Sequence, residues 1–126
     1  MKQFLILALL VSSSIVCAKE STNGKYDTPL TDDTIKKIQQ AQYKYKKCVT
    51  DEMQKLGYSK IESRSATEAI TKQCEKVLSN MRQVYIDVKM PEEVADRHLR
   101  KMRTQMTRRV LKQLMFVEAS RNALKK

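Results

Sequence analysis

Few residues in this 126-residue chain could carry chemistry: three cysteines, one histidine and seven methionines. Cys17 falls inside an apolar N-terminal segment, which leaves Cys48 and Cys74 as the pair to explain. Catalytic dithiols sit in C-x-x-C, with one thiolate stabilised at a helix start. This pair is 26 positions apart, and both members fall inside predicted helices. In an exported chain two such cysteines predict a structural disulfide. Closing a loop of that length is worth on the order of 3.5 kcal/mol of chain entropy. His98 is the only histidine, and no G-x-S-x-G, H-E-x-x-H or C-x-x-C-H accompanies it. His98, Met102 and Met106 recur at i, i+4 and i+8, and imidazole with thioethers would suit Cu(I). That makes them a weak metal candidate, because methionine on an apolar stripe ordinarily fills core gaps. Glu92 and Asp96 are four residues apart, but acids in a first turn ordinarily serve the helix dipole. Two glycines are too few for GxGxxG or a Walker A loop. The expectation is a protein with no catalytic residues and no cofactor, not an enzyme.

The elements that position these residues read as helical. Scarcity of glycine argues against an all-β fold, and 41% apolar with 31% charged residues argues against disorder. A first helix is predicted over 31–56, capped by Thr31 or Asp32. Its stripe is Ile35, Ile38, Tyr45, Val49, Met53 and Leu56, with Gln42 as a polar member. Gly57 is placed to stop it in a left-handed conformation. A second helix is predicted over 66–88, opened by a Ser65–Glu68 capping box. Its stripe is Ile70, Cys74, Val77, Met81, Val84 and Val88, with Leu78 and Tyr85 beside it. A third starts at Pro91 and could reach Leu124, with Ala95, Leu99, Met102, Met106, Val110, Leu114 and Val117 on one face. Ile70, Val77 and Met81 are expected to face Ile38, Val49 and Met53. Cys48 lies nine residues before Gly57 and Cys74 nine after Ser65, so a hairpin turning near Ile61 sets them level. The expected fold is all-α: an antiparallel helical hairpin tied by the disulfide, plus a third long basic amphipathic helix, as a three-helix bundle.

Charge is distributed unevenly. Residues 19–96 carry 14 basic and 13 acidic side chains, whereas 97–126 carry ten basic and only Glu118 as an acid. On a helical wheel with Leu99 at zero, Arg97, Arg100, Lys101, Arg108, Arg109 and Lys112 spread over roughly 100° to 280°. Such a face either aids solubility or invites an acidic partner. The candidate partners are an acidic protein or an anionic envelope surface, with homo-oligomerisation also possible. Nucleic acid is disfavoured, because no aromatic residues interleave the basic run.

The N-terminus points to export. Residues 1–18 read as a signal peptide: Lys2, an apolar run from Phe4 to Val11, and small residues around Val16-Cys17-Ala18. The run is short for a membrane anchor, and Ile15-Val16 fits a lipidated Cys17 poorly. Residues 19–30 read as a flexible leader and 31–126 as a single helical domain. In length, charge and methionine use the chain is similar to small, basic, helical periplasmic chaperones of the Spy/CpxP type. Their repeated L-T-x-x-Q is not met: Leu30-Thr31 is followed by Asp32-Asp33-Thr34, with no second copy. The similarity is one of type, and no residue role transfers. The expected function is that of an exported, non-enzymatic helical binding protein, periplasmic or secreted, chaperone-like or envelope-associated, acting through its basic helix. The alternatives are a secreted effector or cationic factor, and an accessory subunit of an envelope machine.

Overall fold

The computed structural model of the chain describes residues 30–125. The predicted signal peptide and all but the last residue of the leader lie outside the described residues. Four α-helices account for most of what is described: α1 (Asp32–Met53), α2 (Ser63–Gln73), α3 (Glu75–Asp87) and α4 (Glu92–Ala123). Among the described residues there is no strand. No helix there is long and apolar enough to cross a membrane.

α1 starts as its sequence predicts. The Thr31 hydroxyl accepts from the Thr34 N–H at 3.3 Å, and Asp32 and Asp33 occupy the positive end of the helix dipole. It ends three residues earlier than predicted, where Lys55 turns extended. Gly57 does not terminate it: no described glycine has a positive φ. Instead Gly57 lies in a 3-10 helix, Leu56–Lys60, where a Cβ would meet nothing within 4 Å.

The predicted second helix is divided into α2 and α3, and the break falls on the half-cystine Cys74. Hydrogen bonding continues through it, from the Cys74 N–H to Ile70 at 3.3 Å and from the Leu78 N–H to Cys74 at 3.1 Å. Ser65 is not the cap. α2 starts two residues before it, and the Glu62 carboxylate accepts from the Ser65 N–H at 2.9 Å. That bond holds the Glu62 carboxyl below its ordinary pKa range. α3 ends in a Schellman motif: Lys89 has φ 64°, its N–H bonds Ile86, and the Met90 N–H reaches back to Tyr85 at 3.0 Å. Pro91 caps α4 from outside rather than forming its first helical residue.

The Cys48–Cys74 disulfide is present, with Cα atoms 5.9 Å apart. Gln42 donates from Nε2 to the Tyr85 hydroxyl at 2.8 Å. Positions early in α1 therefore meet positions late in α3, and residues before about 38 lie beyond the end of α3. This explains why Ile35 is exposed rather than core. Leu56, displaced into the 3-10 helix, is 80% exposed. The α1 core is Ala41, Tyr45 and Val49. Ile38 and Met53 are half-buried against it.

α3 packs on both α1 and α4, while α2 packs chiefly on α4. The face of α3 that these two neighbours bury is Leu78, Met81 and Tyr85. Val77, Val84 and Val88, predicted as core, are only half-buried. Leu78 and Tyr85 take their place, because the buried face lies between two partner helices rather than opposite one. On α4 the predicted stripe holds at Ala95, Leu99, Met106, Val110 and Leu114, all buried. Val117 at its far end is 37% exposed.

Candidate functional site

The 32 residues of α4 span about 48 Å at ~1.5 Å per residue. Its apolar stripe is committed to the core, so the opposite arc is fixed toward solvent. Arg97, Arg100, Lys101, Arg108, Arg109 and Lys112 are all exposed. None of them makes an ion pair among the described residues. From Arg97 to Val117 the helix carries no acid.

The arginines facing other helices behave differently. Arg103 pairs with Glu75 on α3 at 3.1 Å. Arg121 donates from Nη1 to the Ser59 carbonyl at 2.7 Å and lies 3.9 Å from Glu118. Arg82 on α3 reaches Asp96 at 2.6 Å and Glu92 at 3.1 Å on α4. The Asp96 and Glu92 bonds raise the Arg82 pKa, and the Arg82 bond holds the Asp96 carboxyl below its ordinary range. Arg103 and Arg121 both lie near 40° on the wheel, at the edge of the apolar stripe, where neighbouring helices supply acceptors. The six cations without an ion pair among the described residues lie farther round the helix, between about 100° and 280°.

Glu118 is the lone acid among the last thirty residues, and it has a structural task. Its Oε2 accepts from the Ser63 N–H at 3.1 Å, meeting the positive end of α2. With Arg121 it holds the turn before α2 against α4. Sequence reasoning missed this latch and the Arg82 fork. The only signal for the first was a single carboxylate surviving in a basic run.

Met115 and Phe116 are 55% and 73% exposed. On the wheel they fall near 160° and 260°, so the cationic arc runs into an exposed apolar end. The three copper candidates differ in burial. Met106 is in the core and Met102 is half-buried. His98 is exposed, and its ring lies edge-on to Tyr85 with centroids 6.1 Å apart. Among the described residues no three His, Cys, Asp or Glu side chains group closely enough to hold a metal ion. Comparison with protein-family models, curated proteins and solved structures gives no match to this chain.

Proposed function

We propose that the protein is an exported, non-enzymatic binding protein that docks on an anionic envelope surface through α4. In this reading α1 and α2–α3 form an antiparallel hairpin stapled by the disulfide. α4 lies along it as the third layer of a helical bundle. The observation that carries the reading is the row of six exposed cations that make no ion pair among the described residues, on a helix whose other arginines, Arg103 and Arg121, are paired. Such a row concentrates positive potential over about 22 Å of helix, from Arg97 to Lys112 at ~1.5 Å per residue. Met115 and Phe116, exposed in the same arc, favour a lipid surface over an acidic protein, because a headgroup layer accepts both charge and an apolar tip.

The test is sedimentation with vesicles of phosphatidylglycerol and of phosphatidylcholine, at low salt and at about 0.5 M salt. Binding is expected only to the anionic vesicles, and high salt should remove it. Each Lys or Arg near an anionic surface contributes about 1 kcal/mol. Arg100→Gln, Lys101→Gln and Arg108→Gln together should therefore weaken binding on the order of 100-fold with the helical content unchanged. Equal binding to neutral vesicles, or binding that survives high salt, would overturn the reading.

A further inference from the structure

A second feature lies on the other side of the molecule, where α1 and α3 leave a groove of about 700 Å³. Its lining includes Ala41, Val77, Met81, Val84 and Val88. The three valines are the ones predicted as core, and here they stay half-exposed. Along the α1 wall run Lys37, Lys44 and Lys47. Lys47 is held by Asp51 at 2.6 Å. Lys37 and Lys44 make no ion pair among the described residues. Asp87 also borders the groove, and its carboxylate accepts from Gln83 Nε2 at 2.8 Å.

We infer that this groove binds a single-chain anionic amphiphile, a long-chain fatty carboxylate, with its head at the free lysines of α1 and its chain along the valines of α3. A helical peptide docks by laying an apolar face into a hydrophobic groove, and here the α1 wall is mostly polar, with Lys37, Gln40, Lys44, Lys47 and Asp51. An extended peptide fits no better, because both walls are helices whose backbone groups are already bonded. Its own amides would go unpaired against an apolar floor. A hydrocarbon chain has no such groups. The volume also falls within the range of small-ligand pockets, which are typically about 300–1,000 Å³, mostly apolar, with a few placed polar groups. Charge favours an anionic head: Lys37 and Lys44, seven residues apart on one helix face, make no ion pair among the described residues and outnumber Asp87, the lining acid not paired with a lysine.

The experiment is equilibrium dialysis of the full chain with radiolabelled palmitate, kept below its micelle concentration, with unlabelled palmitate or hexadecanol as competitor. Saturable binding of one palmitate per chain is expected, with hexadecanol competing at least fivefold less well. Val84→Trp, which fills the groove from a half-exposed position, should weaken binding at least tenfold while the circular dichroism and melting temperature hold. Lys37→Gln with Lys44→Gln should remove the preference for palmitate over hexadecanol. The α4 variant with Arg100, Lys101 and Arg108 changed to Gln should bind palmitate like the wild type, which separates this site from the vesicle-binding face. No saturable binding, unchanged affinity in a folded Val84→Trp, or equal competition by hexadecanol would each overturn the inference.

Discussion

Removing the disulfide is the sharpest test of how this fold is held. The bond joins α1 to the junction of α2 and α3 and closes a separation of 26 residues. Replacing Cys48 and Cys74 by Ala deletes that constraint without leaving an unpaired polar atom at Cys74, which is fully buried. The chain-entropy estimate for this loop is about 3.5 kcal/mol. For the 96 described residues the unfolding entropy near 60 °C is about 0.2 kcal/mol/K, so the melting temperature should fall by roughly 17 °C. Within a total of about 5–15 kcal/mol, this is roughly a quarter to two thirds of the stability. The assay is thermal unfolding followed by circular dichroism at 222 nm, comparing the variant with the oxidised and the reduced wild type. The reduced wild type should fall close to the variant. A drop below about 5 °C would refute the reasoning, because α1 would then be held to α3 by packing alone.

Three further outcomes are expected. Met81→Ala, at a buried position, should cost about 2–5 kcal/mol, whereas Val77→Ala in the groove wall should cost less than about 1.5 kcal/mol; chemical denaturation separates the two. Lys89→Gly should stabilise by about 1 kcal/mol, because φ 64° carries a left-handed penalty for lysine that glycine lacks; a melting temperature that falls would count against this. The Asp96 and Glu62 carboxyls are both held below their ordinary range, so the stability they contribute is fully present above about pH 5 and is lost as pH falls through their lower folded values. Melting temperatures measured between about pH 5 and 2 should accordingly fall less steeply in Asp96→Asn than in the wild type.

The helical class, the long basic helix and the cysteine pair were legible from sequence, because each depends on local pattern. Periodicity of 3.6 marks helices, and the stripe of α4 survived almost residue for residue. Cysteine number and an export-like leader were enough to predict the bond between Cys48 and Cys74. Which arc of α4 faces solvent also followed from the stripe. Other choices depended on what packs where. Val77, Val84 and Val88 match the helical period as well as Leu78 and Tyr85 do. Only the placement of α3 between α1 and α4 decided that the second set is buried and the first lines a groove. The caps moved for a similar reason. Glu62 and Glu118 close the start of α2, one from the preceding turn and one from 55 residues away in sequence, and no local box encodes the second. Ile35 reads as core until the pairing of Gln42 with Tyr85 shows where α3 ends. Local sequence thus set the elements and their faces, while the division of those faces between core, latch and open surface was made by neighbours that local pattern does not encode.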